Sequence, residues 1–422
     1  LSALPDLAAI RRCFPGLVGD DVLLDNAGGA QVPLPVIDAI GGYLRRRYVQ
    51  TGAGYARSRE AGSVVSAAHA WIERLLGGEG AGLAILGAST TQLCHLLARS
   101  MGRRLSRGDE IVLAECGHEA NIGPWLELER DGIVIRWWRA DGDSFGCPLP
   151  ALDALLSSRT RLVCLPQVSN LLGGVVDVAE VTRRAHAAGA QVVVDGVAFA
   201  PHRPCDLSAW GCDWYLFSTY KVYGPHMGVL FGSHHRLAEL HPPNHFFIPR
   251  EAGAYAFELG GACHEGCAGL LGLGAYLTFL AGGAPASALE ELPDRAVVRS
   301  AFERMAALEM PIQRQLIEGL RSIEGISIIG PDTFGPERVS TVSFVHDRVP
   351  AREIAAEAHR RGIGIRHGHA YAYRLVRALG LDPADGVVRI SAVHYTASEE
   401  IDRALVAVGA AVGAPLRRDV RA

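Results

Sequence analysis

Residues 192–225 read VVVDGVAFAPHRPCDLSAWGCDWYLFSTYKVYGP. Three valines followed at once by Asp195 describe a strand buried on both faces that ends in an acid. Trp214–Phe217 is a second short apolar run, and it delivers Lys221 to the same edge of a sheet. Gly224-Pro225 then turns the chain. An acid and an amine at neighbouring strand ends can be a plain ion pair, and an aspartate behind a strand can be a turn or cap residue. Ligands of parallel sheets also gather at the carboxyl ends of the strands, which makes the pair a candidate site.

Outward from this stretch, Ile111–Ala114, Ile133–Trp138 and Leu162–Leu165 repeat the pattern of short, β-branched runs bounded by turn signals. Helical patterns lie between them, such as Val178–Ala188 with Arg183, Arg184 and His186 on its wet side. The alternation predicts an α/β fold: a mostly parallel sheet covered on both faces. Upstream, a short helix at Ala9–Cys13 leads to a strand at Val22–Leu24 and a Gly-rich turn at Asn26–Gly29. After Gly282 the texture changes. A long helix over Ala296–Ile323 precedes a strand at Val339–Val345, a helix at Arg352–Arg361, the segment Ile363–Tyr373, a strand at Val387–Val393 and a last helix from Ser398. The expected organisation is an N-terminal segment (1–20) packing on a small α+β C-terminal domain (285–422), with a large domain over 21–284. The uncharged run Gly266–Leu289 is long enough for a membrane helix. Its repeated glycines, Pro285, Thr278 and Ser287 predict a buried helix and a loop instead.

Composition narrows the function. A net charge of −4 gives no basic field, so nucleic acid is not an expected partner. Lysine and arginine total 41, and only Lys221 is a lysine. Arginine replaces lysine wherever a surface needs positive charge, but not where an amine must lose its proton and attack a carbonyl. Coding bias with one survivor explains the count equally well; the position of Lys221 opposite Asp195 favours chemistry. The nine cysteines form no C-x-x-C pair, so neither a disulfide framework nor a metal site is expected, and a reducing cytoplasm fits. No signal peptide is visible, and the chain opens on Leu1 rather than Met, which leaves room for an upstream segment.

Asp195 and Lys221 are what pyridoxal 5'-phosphate (PLP) needs: an amine for the Schiff base, and an acid that keeps the ring nitrogen protonated so that the ring accepts electrons from a substrate Cα. Burial and a cationic ring both lower the pKa of such an amine.

The run VVVDG…CDWYLFSTYKVYGPHMGVLFG resembles the cofactor-lysine region of class V aminotransferases, the cysteine desulfurase-like group, and the likeness extends from Leu24 to about Val408. The resemblance implies the type I fold of PLP-dependent enzymes and a set of roles. LDNAGG (Leu24–Gly29), with Ala27 and Gly28, resembles the loop that lines the substrate pocket. Ser89-Thr90-Thr91 resembles the phosphate cradle; read alone it is a helix cap, though helix-start N–H groups do bind anions. His118 in GHEANIGPW resembles the imidazole stacked on the cofactor ring, and it is suited to give a proton to a leaving group. Asn170 in QVSNLLGG resembles the amide near the ring oxygen. Ser218 resembles a further phosphate ligand. His264 in GGACHEG falls where relatives reach a phosphate from the other subunit, which implies a homodimer with active sites at the interface. Arg389 in VVRISAVHYT resembles the arginine that clamps the substrate's α-carboxylate, a task its two-pronged guanidinium suits.

The departures carry as much information. Desulfurases usually have Ser-Gly-His before the lysine; here it is Ser218-Thr219-Tyr220, and Tyr220 can still offer a hydroxyl to phosphate. Where many relatives place Gln, this chain has Ala198. The sulfur-accepting cysteine of desulfurases falls at or near Tyr371 in RHGHAY (366–371), and no cysteine follows Cys267. HGHAYAY and VHYT together resemble a subgroup that includes enzymes breaking or forming bonds at Cβ. The expectation is therefore a PLP enzyme acting on an α-amino acid. Lys221 would remove the Cα proton, and a Cβ–S bond of cysteine or a cysteine conjugate would break without a protein persulfide. The alternatives are decarboxylative carbon–carbon bond formation, which VDGVA…PHRPCD and YKVYGPH resemble in a fungal enzyme acting on aspartate, then transamination, epimerisation, or a non-catalytic scaffold.

Overall fold

In the computed structural model, which describes residues 5–141, 146–283 and 292–413, the β-branched runs pair into one seven-stranded sheet. A two-residue strand β1 (Val22–Leu23) stands apart from it. The sheet is built from β2 (Gly82–Gly87), β3 (Glu110–Ala114), β4 (Val134–Trp138), β5 (Thr160–Pro166), β6 (Gln191–Asp195), β7 (Trp214–Ser218) and β8 (Gly228–Ser233), in the order β2-β8-β7-β6-β5-β3-β4. Only β8 runs against its neighbours. Because successive residues of a strand point to opposite faces, Val192, Val194, Tyr215 and Phe217 enter one core, while Val193, Trp214 and Leu216 enter another on the far face. Both faces are covered, which is why these strands read as continuous apolar runs rather than as alternation.

Parallel pairing aligns the strand ends. Pro166 lies opposite Asp195 and Asp195 opposite Leu216, so the ends of β5, β6 and β7 share one edge. The helix Thr90–Gly102, which follows β2, starts at that edge.

Downstream come β9 (Ile326–Ile329), β10 (Thr341–His346), β11 (Ile363–Gly364), β12 (Arg366–Gly368) and β13 (Val387–Ser391). Four of them form an antiparallel sheet, β12-β13-β10-β9, backed by the helices Arg295–Arg321, Ala351–Arg360 and Ser398–Val412. Here the structure departs from the expected organisation. β1, which was to open the large domain, pairs in parallel with β11, and Val22 and Leu24 are buried with Val342, Phe344 and Ile390. A strand of two residues carries no pattern that names its partner. The preceding helix, Leu7–Arg12, is tied to the C-terminal unit: Arg11 bonds the Glu400 carboxylate at 2.9 and 3.0 Å and the Tyr395 carbonyl at 2.8 Å. The expected boundary at 284–285, with Pro285 and Ser287, lies outside the described residues.

The run beginning at Gly266 is a 17-residue helix, His264–Leu280, buried through most of its length. Its glycines permit close approach: a Cβ on Gly272 would stand 2.4 Å from the Pro35 carbonyl of the helix Leu34–Arg46. No described helix is long and apolar enough to cross a membrane.

Candidate active site

Asp195 closes β6 and is only 7% exposed. Its carboxylate accepts from the Val197 N–H at 3.0 Å, and among the described residues no cation forms an ion pair with it. Burial accordingly pushes its pKa up, against the pull of the Val197 N–H and of Lys221. The next residue must be glycine, since a Cβ on Gly196 would sit 2.0 Å from the Tyr215 ring.

Lys221 ends a single tight turn, Thr219–Lys221, that continues from β7. The Thr219 hydroxyl donates to the Pro225 carbonyl, and the N–H groups of Val222 and Gly224 donate to the Thr219 carbonyl, each at 2.9 Å. The turn is thereby pinned independently of the lysine side chain. Burial, then the Arg389 guanidinium, bring the Lys221 ammonium down to about 8, with Asp195 and Asp25 opposing. A substantial share of free amine near neutral pH is what attack on a carbonyl requires.

Thr90, Thr91, His118, Asn170, Asp195, Ser218, Tyr220 and Lys221 line one cavity, and Ala198 lines it too. At one end lies the start of the helix Thr90–Gly102. The Ser89 hydroxyl accepts from the Gln92 N–H at 3.1 Å and so caps the helix, while the N–H groups of Thr90 and Thr91 remain for a ligand. Gly228 presses against this turn; a Cβ there would lie 2.3 Å from the Thr90 nitrogen. The Thr90 hydroxyl donates to the Phe217 carbonyl at 2.8 Å, so the Ser218 hydroxyl must donate to Thr90 Oγ1 at 2.7 Å. Each hydroxyl donates to a phosphate only by giving up its present acceptor, the Phe217 carbonyl for Thr90 and Thr90 Oγ1 for Ser218. Tyr220 stacks on His226 at 4.2 Å, with Lys221 Nζ 5.9 Å from its ring.

His118 lies on the cavity wall. Its Nδ1 accepts from the Ala120 N–H at 3.0 Å, which places the ring proton on Nε2. Burial, then Lys221 and Arg389, hold the imidazole down to about 4. A ring neutral at pH 7 has no imidazolium proton to give, so the proton-donating role read from the sequence needs a negative charge in the cavity to raise it. Tyr371 lies against the His118 ring at 5.1 Å.

Arg389, on β13, is 3% exposed and reaches Asp25 at 2.9 Å and the Asn170 carbonyl at 3.3 Å; its Nε is buried without a partner. Asp25 is held also by Arg366 at 2.6 Å, and against its burial the two guanidiniums keep its carboxyl below the usual range. Asn170 gives one N–H to the Ala370 carbonyl at 2.7 Å, leaving its second N–H and an unpartnered, buried Oδ1. Ala27 and Gly28 form the turn beside Asp25, with the Ala27 N–H on Ser391 Oγ at 2.8 Å. His264 is not brought in: it heads the helix His264–Leu280, 6.5 Å from the Tyr43 ring, and does not line this chain's cavity.

Sequence reasoning missed Asp25 and Arg366. Asp25 lies in LDNAGG and Arg366 in RHGHAY, opposite charges in two segments expected to meet at one pocket. It also missed that Ala370 and Tyr371 hold left-handed backbone, with φ of 42° and 63°.

A mixed α/β sheet presenting one lysine and one buried aspartate to a single cavity defines a fold type I PLP-dependent enzyme. Residues 22–246 and 285–404 match the sequence profile of Aminotransferase class-V, and the chain belongs to that family. It is 36% identical over 410 residues to the aminotransferase-like protein FGM3 of Gibberella zeae, covering 94% of this chain and 96% of that protein. It is 30% identical over 406 residues to a cysteine desulfurase of Yersinia pestis, covering 90% and 91%. Among solved structures it superposes on a cysteine desulfurase from Thermococcus onnurineus with a TM-score of 0.84 at 23% identity, covering 98% and 100% of the two chains. The cysteine desulfurase CsdA of Escherichia coli gives 0.81 at 24%, covering 97% and 99%. The family's cofactor is PLP, and the cavity fits it: a buried carboxylate without a cation, a helix start with free N–H groups, and an amine of lowered pKa.

Proposed function

We propose that Lys221 holds PLP in this cavity, with Asp195 on the ring nitrogen, the helix start at Thr90-Thr91 on the phosphate, His118 stacked on the ring and Asn170 near the ring oxygen. The substrate is an α-amino acid with its carboxylate at Arg389, and the reaction cleaves a Cβ–S bond of cysteine or a cysteine conjugate. Bound there, the cofactor supplies a ring that takes up the electrons of the Cα–H bond. Lys221, near pKa 8 and freed from the cofactor by the substrate amine, is the base at Cα. Arg389 meets the carboxylate through its unpartnered Nε, in competition with Asp25. A phosphate and a carboxylate in the cavity offset Lys221 and Arg389, raise the His118 imidazole and let it pass a proton to the departing sulfur. A homodimer, in which the partner subunit's His264 completes the phosphate site, belongs to this reading, as does a cytoplasmic setting.

The observation that carries the reading is Tyr371. It stands over His118, 66% exposed, in the segment where desulfurases carry the sulfur acceptor, and among the described residues no cysteine lines the cavity. Sulfur then has to leave with its own substituent. Holoenzyme incubated with cysteine conjugates should yield pyruvate, ammonia and the free thiol; holoenzyme that yields none of these across a conjugate panel refutes the assignment. A second reading rests on Arg366, a half-exposed cation beside Arg389. Two arginines suit a dicarboxylate such as aspartate, and carbon dioxide released from aspartate would favour decarboxylation.

A further inference from the structure

Outside this cavity, two sulfurs lie close together. Cys116 follows β3 by two residues and precedes His118 by two; Cys147 lies on the chain's return from β4. Their sulfurs are 3.3 Å apart, and the Cys147 thiol also reaches the Trp138 carbonyl at 3.2 Å. The approach is built in. The Trp138 indole donates to the Pro148 carbonyl at 2.9 Å, and the Glu115 carboxylate holds Arg139 at 2.5 Å and the Ala140 N–H at 3.1 Å. Residues 139–140 are thus clasped to Glu115, and 147–148 to Trp138. Cys116 is buried and Cys147 half-buried, and both line a groove of about 770 Å³ that Phe334 and Arg338 also line. The proposed reaction uses neither sulfur.

We propose that Cys116 and Cys147 are a redox pair, converted reversibly by a small-molecule disulfide into an intramolecular disulfide. The groove gives such a reagent access to Cys147. Cys147, the less buried of the two, attacks as the thiolate. Cys116, buried beside it with its sulfur 3.3 Å away, is the resolving thiol. In the first step Cys147 bonds to one sulfur of the reagent, the reagent's S–S bond breaks, and a thiolate leaves. In the second, Cys116 bonds to the Cys147 sulfur, displaces the other thiolate, and the two cysteine protons pass to the leaving groups. The protein pair is oxidised by two electrons and the reagent is reduced to two thiols. Closing the bond needs the sulfurs to approach by on the order of 1 Å.

The test treats holoenzyme with oxidised glutathione and reads the intact mass and a non-reducing peptide map. The expected result is the loss of two hydrogens, one cross-linked peptide pair joining Cys116 to Cys147, and full reversal by dithiothreitol. Cys116→Ser should trap a glutathione adduct on Cys147, and Cys147→Ser should abolish both bridge and adduct at these two positions. A parallel sample of free dithiothreitol, oxidised by the same glutathione stock, reports that the reagent was active. Cys116 and Cys147 both still thiols after exposure to the active reagent overturns the proposal, as does a bridge from Cys147 to any other cysteine.

Discussion

Lys221 is the single amine-bearing side chain of this protein, so every property of a primary side-chain amine belongs to one residue. With its pKa near 8, the free-base fraction rises about tenfold per pH unit below that value and levels off above it. The rate at which cofactor-free protein captures PLP, followed by its visible absorption, should climb from pH 6 to about 8 and then flatten; a rate that is flat across this range contradicts a buried, depressed amine. Lys221→Arg keeps the charge and removes the nucleophile, and should give protein with no cofactor band. Asp195→Asn tests the other end. It removes the buried charge that lacks a cation, so the cofactor-free protein should be as stable as the parent or more so, while turnover should fall by at least ~10²-fold because the ring nitrogen loses its anionic partner. A destabilised, fully active variant would show that Asp195 is a turn residue. Lysine and aspartate were legible in the sequence because their chemistry is rare and their positions follow directly from strand ends. Asp25 and Arg366 were not, since their meaning arises only where β1, β12 and β13 converge.

What puts such residues at one edge is a property of elements. β8 runs antiparallel between β2 and β7, which sets Gly228 directly against the start of the helix Thr90–Gly102. A methyl group at 228 would meet the Ser89 carbonyl carbon and the Thr90 nitrogen at 2.3 Å, and backbone on both sides leaves no flexible neighbour to yield. Gly228→Ala should therefore shift the helix start, at a cost of ~1–3 kcal/mol in unfolding free energy, and should weaken PLP retention by more than an equally destabilising change elsewhere. Dialysis against buffer, with the visible band recorded over time, separates the two effects. Equal retention at reduced stability would mean that the helix start does not hold the phosphate. β3 to β7 were readable as short apolar runs, whereas β2 and β8, whose glycines at 82, 87, 228 and 232 break the apolar pattern, were not; the helix over 264–280 was readable from its composition. β1 was not, having too few residues to show a period. Nor was the left-handed pair Ala370-Tyr371, where the backbone is held by Asn170 donating to the Ala370 carbonyl and by the Glu119 N–H donating to the Tyr371 carbonyl at 2.9 Å. Non-glycine residues carry no sequence mark for that conformation.

At the scale of the molecule, the parts meet on His394. It follows β13, and its ring packs among Phe14 of the N-terminal segment, Tyr223 of the lysine loop and Tyr276 of the helix His264–Leu280. Tyr223 gives its one hydroxyl proton to the Pro201 carbonyl at 2.8 Å, so it can only accept from His394 Nδ1, at 3.2 Å. The proton is therefore on Nδ1, and Nε2 accepts from the Tyr276 hydroxyl at 2.5 Å. A neutral ring satisfies every partner, whereas a second ring proton would face the Tyr276 hydroxyl hydrogen. Burial, helped by His202, accordingly brings the imidazole down to about 3. Above pH 6.5 the ring is neutral folded or unfolded, and this contribution to stability is fully present. Below it the unfolded chain takes up a proton that the folded protein refuses, and stability falls by about 1.4 kcal/mol per pH unit from this group until pH approaches 3. His118, held near 4, acts in the same direction over a narrower window. His394→Gln should lower stability at pH 7.5 by ~1–3 kcal/mol through the lost hydrogen bonds, yet lose less on acidification, so that its urea-unfolding free energy converges on that of the parent between pH 6.5 and 4. Parallel curves over that interval would mean that His394 accepts its proton in the folded state, and that the junction of β13, the lysine loop and the N-terminal segment tolerates a buried cation.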